Sequence, residues 1–230
     1  MSVKDSIVGV PIFGVSYSPQ MPSGDLVKRF GFNHNIGVNF TYKTNKNWLW
    51  TANWNFLFGK DVKENNILNG ISTSDDILID QNGEPADIRL YERGQFYGVS
   101  VGKLLIKAGP NPNSGIFVSA GSGFLMHKIR IEDIGNATMQ LKDEYKKGYD
   151  RLTFGLAFNQ SLGYLFLANN KLFNFYACAD AIQGFTKNRR GYNFDTQSYD
   201  TGKRLDLLYG FRVGFLIPIY QRTPDEFYYN

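Results

Sequence analysis

Large apolar side chains alternate with small polar ones along several segments of this chain. Between residues 32 and 42 the even positions hold aromatic rings, aliphatic side chains and one histidine, whereas the odd positions hold Asn, Gly and Thr. The same pattern resumes between residues 48 and 58, after the turn residues 44–47. Because successive side chains of a strand point to opposite faces, this period of two predicts strands with one apolar face. The two runs and their short polar connection predict a hairpin.

The alternation divides the whole chain into strands of this kind. Eight predicted strands cover residues 10–18, 32–43, 48–59, 95–105, 115–131, 152–167, 172–187 and 205–220. Their connections alternate between short turns and longer loops, and successive connections of an up-and-down meander lie at opposite ends. All short turns would then gather at one end and all long loops at the other. The sequence therefore predicts one all-β domain over residues 1–230, an eight-stranded antiparallel up-and-down barrel.

The polar face of the predicted strands is almost free of charge. It consists of Asn, Gly, Ser, Thr and Ala, while most of the 25 basic and 21 acidic residues lie in loops, turns and tails. Soluble sheets usually carry charged residues on their wet face, whereas small polar side chains suit the narrow interior of an eight-stranded barrel. Closing the sheet also pairs every backbone group that lipid could not satisfy. The pattern predicts a transmembrane barrel with its rings pointing outward.

This orientation assigns positions to two groups of side chains. Asp180 and Arg212 fall on the polar faces of the last two strands. A charge inside a narrow barrel is costly unless it is paired, so we expect the two to neutralise each other or to join a network of Asn side chains, with a proton or ion path as the alternative. Lipid-facing or girdle positions are predicted for Phe40, Trp48, Trp50, Trp54, Phe56, Phe154, Phe158, Tyr209, Phe211 and Phe215.

The eight strand patterns, the loop-end stretches 127–132 and 148–152 and the terminal strand 211–220 resemble the small outer-membrane β-barrels of Gram-negative bacteria. The high content of aromatic residues and Asn is similar to that of Bacteroidota barrels. The resemblance implies short periplasmic turns, longer external loops, and contact with the lipid bilayer and lipopolysaccharide. Many such barrels end on an aromatic residue, whereas this chain continues as a predicted periplasmic tail, 221–230, with Phe227, Tyr228 and Tyr229 as candidate partner contacts.

The sequence was also searched for membrane-spanning helices, a secretory signal and basic runs that could bind nucleic acid. No apolar run reaches the roughly 18 to 20 residues of a membrane-spanning helix, and residues 1–6 do not form a secretory signal. We interpret the absent signal as one removed before this numbering begins, since the predicted location is the bacterial outer membrane. A net charge of +4, with no basic run longer than Arg189 and Arg190, gives no support to nucleic-acid binding.

Residues that could carry chemistry are few. Only His34 and His127 could act as histidine bases, both at predicted strand ends, and we expect rim or packing roles for them. No spacing suggests a catalytic trio, and Cys178 is the single cysteine, so neither a catalytic site, a metal site, a disulfide nor a cofactor is predicted. Residues 80–84 superficially resemble a calcium loop, but Asn82-Gly83 between the aliphatic runs 77–79 and 88–90 favours a hairpin above the barrel, with those two runs as its arms.

Charge in the long loops allows two interpretations. Segment 60–93 holds eight acidic and four basic residues, whereas segment 189–204 holds four basic and two acidic residues. These opposite net charges could dock the two loops together, or both loops could simply be solvated.

Four functions are considered at this stage. The resemblance implies a non-enzymatic accessory or scaffold subunit of an envelope complex for barrel assembly, uptake or secretion, with other envelope proteins as partners. A soluble barrel would hold a hydrophobic ligand among inward-facing rings, although its outer face would then need charges that the strands lack. A barrel enzyme that modifies lipid or lipopolysaccharide is weakened by the scarcity of histidines. A narrow pore is disfavoured by the number of strands.

Overall fold

The computed structural model describes residue 4 and residues 6–75, 77–135 and 137–220. The predicted tail, with Phe227, Tyr228 and Tyr229, lies outside the described residues. The strands are β1 (Val10–Gly24), β2 (Asn33–Lys43), β3 (Trp48–Gly59), β4 (Ile88–Lys107), β5 (Gly115–Asp133), β6 (Thr153–Phe166), β7 (Asn174–Asn188) and β8 (Lys203–Pro218). Short 3-10 helices cover Leu26–Lys28, Asn65–Ile71, Met139–Leu141 and Asp143–Gly148. Within this described part, no helix is long and apolar enough to cross a bilayer.

Each strand pairs antiparallel with the next one, and β8 pairs with β1, so the sheet closes into a barrel. The predicted fold class, an eight-stranded up-and-down barrel, is confirmed. Three short connections lie at one end, which we call the turn end, at residues 44–47, 108–114 and 167–173. Four longer connections lie at the opposite, loop end: loop 1 (25–32), loop 2 (60–87), loop 3 (134–152) and loop 4 (189–202).

Two strands, β1 and β4, extend much further toward the loop end than their sequence patterns predict. β1 continues past the predicted end at residue 18 because Pro19 pairs with β2, and Pro22 pairs with β8. Ser18 and Pro19 have no partners in β8, so the ladder is interrupted where the proline cannot donate a hydrogen bond. β4 begins at Ile88 rather than at residue 95, because its first residues pair with the end of β5.

The predicted hairpin in loop 2 is smaller than its sequence suggests. Its turn is closed by a bridge between Ile79 and Pro85, and the backbone N–H of Ala86 donates to Leu78. The expected second arm, residues 88–90, belongs to β4 and pairs with β5 instead. Pairing with a long barrel strand satisfies more backbone groups than an isolated two-stranded ribbon could, which explains the difference.

The barrel interior is less uniformly polar than the sequence pattern indicates. Large aliphatic and aromatic side chains form one buried cluster near the turn end, which includes Leu49, Leu104, Phe117, Leu165 and Leu216. A second cluster lies toward the loop end and continues into the loops, and it includes Phe30, Leu57, Phe96, Leu125, Ile182 and Leu208. The expectation of an interior filled by small polar residues is therefore wrong at both ends, where apolar side chains close the barrel around a polar middle layer.

The outer wall is apolar and exposed. Val99 is 62% exposed, and Trp50 and Phe211 are each 56% exposed, although all three lie on strands of the barrel. Of the ten predicted outward rings, only Phe56 and Phe154 are half-buried, and each packs on a neighbouring ring of the same wall. A barrel with its rings inside, the alternative that would bind a hydrophobic ligand in water, is therefore wrong.

Candidate functional site

An ion pair between Asp180 of β7 and Arg212 of β8 lies in the polar middle layer. The register places Asp180 opposite Gly210, so the two charged residues are diagonal neighbours on the inner face of adjacent strands. Arg212 Nη2 donates to Asp180 Oδ2 at 3.2 Å, and both residues are buried. The carboxylate also accepts from Ser18 Oγ at 3.1 Å and from Gln20 Nε2 at 3.4 Å, both on β1.

The other side of the guanidinium donates to side chains of β1, β2 and β3. Arg212 Nη1 donates to Asn55 Oδ1 at 2.8 Å, to Ser16 Oγ at 3.1 Å and to Asn35 Oδ1 at 3.4 Å. Gly37 makes room for this arrangement, because a Cβ there would overlap Asn55 Oδ1 and lie 3.2 Å from Arg212 Nη1. The pair thus sits in an amide and hydroxyl network that ties β1, β2, β3, β7 and β8 together across the interior.

A small cavity adjoins this network. Its volume is about 110 Å³, and its wall includes the side chains of Asn39, Asn53 and Asn159. The Oδ1 atoms of these three amides are buried without a hydrogen-bond partner within the described residues. A polar cavity of this size holds a few water molecules, which would satisfy those oxygens. Drug-sized ligands need roughly 300 Å³ or more, so the cavity is too small for a lipid or sugar substrate.

His127 and Asp206 form a second buried pair near the loop end. His127 Nε2 lies 2.8 Å from Asp206 Oδ2, which also accepts from Thr186 Oγ1. His127 Nδ1 has no hydrogen-bond partner within the described residues, and the ring is covered edge-on by Phe30 with centroids 5.7 Å apart. Without a hydroxyl on the free nitrogen and without access from solvent, this pair lacks the arrangement of a nucleophile and its base. The pair is part of the interior packing, with one hydrogen bond between its two side chains.

His34 lies on the outer wall. Its Nδ1 is 2.7 Å from the hydroxyl of Tyr17, and its ring stacks on Phe58 with centroids 5.4 Å apart. The two histidines are therefore on opposite faces of the sheet. Among the residues that the structure describes, no group of three or more His, Cys, Asp and Glu side chains is placed to hold a metal ion.

A network of ion pairs, which we call the loop crown, joins all four loops. Arg29 of loop 1 is only 3% exposed; its Nε donates to Glu64 Oε1 of loop 2 at 2.8 Å, and its Nη2 lies 3.5 Å from Asp200 Oδ2 of loop 4. Arg151 of loop 3 contacts Glu64 Oε2 at 3.1 Å and Asp195 Oδ2 of loop 4 at 2.5 Å. Two arginines thus bridge carboxylates from the two loops that the sequence suggested might dock.

The charges that hold the loops are not the ones suggested by net loop charge. Loop 2 and loop 4 both contribute carboxylates, and the bridging cations come from loop 1 and loop 3. The bases of loop 4 have other partners: Arg189 lies over the Phe154 ring at 5.2 Å, and Arg190 Nε donates to Asp150 Oδ1 at 2.7 Å. The hydrogen bond to Asp150 raises the pKa of Arg190, whereas burial lowers the pKa of Arg29.

Comparison with known proteins finds similarity only at the level of the fold. No protein-family model matches the chain, and no curated protein matches it. The crystal structure of Ail, the attachment invasion locus protein of Yersinia pestis, is similar with a TM-score of 0.49 at 9% identity, over 90% of this chain and 98% of that one. Neisserial surface protein A has a TM-score of 0.47 at 9% identity, over 90% of this chain and 96% of that one. Neither comparison bears on the expected Bacteroidota origin, which stays a prediction.

Proposed function

We propose that this protein is an integral outer-membrane β-barrel without enzymatic activity, which acts as an accessory or scaffold subunit of an envelope complex. The observation that carries the membrane assignment is a closed sheet whose outer wall exposes aromatic and aliphatic side chains. Contiguous apolar surface of this extent is rare on soluble monomers. A closed antiparallel barrel leaves no backbone edge unpaired, as hydrocarbon demands.

Val99→Arg separates a lipid-facing wall from a wet one. Val99 lies on β4 and is 62% exposed. Arginine on the lipid face near the bilayer midplane costs about 2–4 kcal/mol of unfolding free energy, whereas an exposed site in water tolerates it within about 0.5 kcal/mol. We expect reversible urea unfolding in phospholipid vesicles to show the larger loss. The matched control is Tyr145→Arg in loop 3, where the side chain is 62% exposed and the stability should not change.

Two outcomes would contradict the membrane assignment. One is a Val99→Arg protein as stable as the wild type in vesicles. The other is a wild-type protein that stays monomeric and folded without detergent and shows no heat-dependent shift in electrophoretic mobility.

Outward basic pairs at the loop end support contact with lipopolysaccharide. Arg93 lies directly opposite Lys128, and Lys187 lies directly opposite Lys203. Like charges in directly opposed positions destabilise a sheet unless an anion lies between them. The carboxylate nearest to Lys128 is that of Asp150, whose Oδ2 lies 3.9 Å from Lys128 Nζ. Within the described residues, neither Lys187 nor Lys203 has an ion-pair partner. Phosphate groups of the outer leaflet provide the missing negative charge.

Lys187→Gln with Lys203→Gln tests this contact. Lipopolysaccharide added to phosphatidylcholine vesicles should raise the unfolding midpoint of the wild type, and the double variant should lose at least half of that rise. Lys46→Gln with Lys171→Gln, two substitutions at the turn end, should keep it. Equal stabilisation of both variants would exclude the basic pairs as the site of contact.

The scaffold role is supported by the two ends of the molecule. Within the described residues, apolar clusters fill the interior near both ends, which argues against transport through the barrel. The loop crown fixes the relative positions of four loops at the end that would face outward.

A tagged wild-type chain purified in mild detergent from its own membranes should carry a partner in fixed ratio. Recovery without any other envelope protein would contradict the scaffold role.

A further inference from the structure

Two glutamines interrupt the apolar outer wall on β6 and β7. The outward residues of β6 are Phe154, Leu156, Phe158, Gln160, Leu162, Tyr164 and Phe166. Gln160 thus lies at the middle of the strand, with three aromatic or aliphatic positions on either side. Gln183 lies diagonally across on β7, where Gln160 pairs with Ala181. If the wall faces lipid, as the proposed function requires, both amides lie within the hydrocarbon region.

The two amides satisfy little of each other's hydrogen-bonding capacity. Gln183 Nε2 donates to Gln160 Oε1 at 3.4 Å, and within the described residues this is the only hydrogen bond of either side chain. Each amide has two N–H donors and a carbonyl with two lone pairs. Burial of an amide in an apolar medium without partners costs several kcal/mol. Lipid tails cannot provide those partners, so a polypeptide surface has to.

Phe158 lies directly opposite Gln183, and bulky residues of β6 and β8, such as Leu162 and Phe211, border a row of alanines on β7. Small side chains also lie close to both glutamines. Beside them lie Ser122 and Ala120 on β5 and three alanines on β7, which together define the glutamine flank: Ala120, Ser122, Gln160, Ala177, Ala179, Ala181 and Gln183. The opposite wall, on β1 to β3, presents bulky residues such as Phe13, Phe40 and Trp54. Small residues allow another membrane protein to approach closely, and polar side chains then hydrogen-bond across the interface.

We propose that the glutamine flank is the interface of a homodimer within the membrane, formed with the same flank of a second copy of this chain. The occupant is inferred from the chemistry of the flank. Two glutamine amides contain equal numbers of donors and acceptors, so a pair of them is complementary to its own image across a two-fold axis. A hydrocarbon chain could fill the same depression among the alanines but would leave both amides without partners. The inference rests on the membrane assignment of the proposed function.

The test compares oligomeric states of folded barrels. Wild type, the double variant Gln160→Leu with Gln183→Leu, and the single variants Ala179→Trp and Ala52→Trp are studied by sedimentation in density-matched detergent. We expect a wild-type dimer and a dissociation constant at least about tenfold higher for the glutamine variant and for Ala179→Trp. Ala52→Trp, an equal increase in volume on β3, should leave the dimer unchanged. A variant that keeps the heat-dependent shift in electrophoretic mobility is a folded barrel.

Cross-linking in bilayers supplies the second measurement. In a Cys178→Ser background, Ala181→Cys should form an intermolecular disulfide on oxidation, whereas Ala52→Cys should not. A wild type that is monomeric in detergent and gives no cross-link in bilayers would overturn the dimer while leaving the membrane assignment intact. A cross-link to a different protein would also overturn it. A chain that is soluble without detergent would instead overturn the proposed function on which the dimer rests.

Discussion

Replacement of Arg212 by methionine is expected to destabilise the barrel by about 3–5 kcal/mol. The change removes the guanidinium that neutralises Asp180 and leaves that carboxylate buried with only Ser18 and Gln20 as donors. It also leaves the carbonyl oxygens of Asn35 and Asn55 without their charged partner. The loss is measured as the change in unfolding free energy in urea, with the protein in phospholipid vesicles.

A second variant separates the loss of the pair from the loss of packing. Changing Asp180 to leucine together with Arg212→Met removes both charges, so no unpaired ion stays in the interior. Replacing both partners of a buried ion pair with apolar residues is often close to neutral, and we expect the double variant to recover most of the stability lost by the single one. A single variant within about 1 kcal/mol of the wild type would show that the pair is not structurally important.

The fold could be predicted from the sequence because one physical rule repeats along it. The alternation around Phe40 and Trp54 fixes which side chains share a face, and in a closed sheet that choice holds for every strand. The shared inner face of Asp180 and Arg212 follows from the same rule, whereas their diagonal position depends on the strand register. These inferences need only the alternation of apolar and polar side chains and the order of the strands. An error of one residue at the end of a strand changes neither.

Contacts between distant loops could not be predicted in this way. Arg29 and Arg151 are 122 positions apart, and the Arg29 guanidinium reaches the backbone oxygen of Arg151 only because both loops fold over the same end. His127 and Asp206 are separated by 79 positions and lie on strands that are not neighbours in the sheet. No periodic pattern encodes such pairs, which depend on how far side chains reach across the interior.

Replacement of Arg29 by methionine should detach the loop crown while the barrel stays folded. The arginine is 3% exposed and connects Glu64 of loop 2 with Asp200 of loop 4. It also donates through Nη1 to Thr153 Oγ1 at 2.8 Å, which attaches it to the end of β6. Loss of a buried cation that several groups share costs about 3 kcal/mol, equivalent to roughly a 100-fold rise in the population of open loops.

Limited proteolysis of the folded protein in detergent measures that opening, since cleavage of a transiently opened segment follows the open population when closing is fast. Proteinase K should cut loops 2 and 4 of the Arg29→Met protein about 100-fold faster than those of the wild type, with heat-dependent mobility unchanged. Lys28→Met is the matched control, because Lys28 is 73% exposed and its only ion pair is with Asp25 at 2.7 Å within the described residues. Exposed pairs of this kind contribute about 0–1 kcal/mol, so its cleavage rate should stay close to that of the wild type. Equal cleavage of both variants would contradict this prediction. It would mean that apolar contacts, such as those of Phe30 in loop 1, hold the loops in place and that the arginine ion pairs form only after the loops have docked.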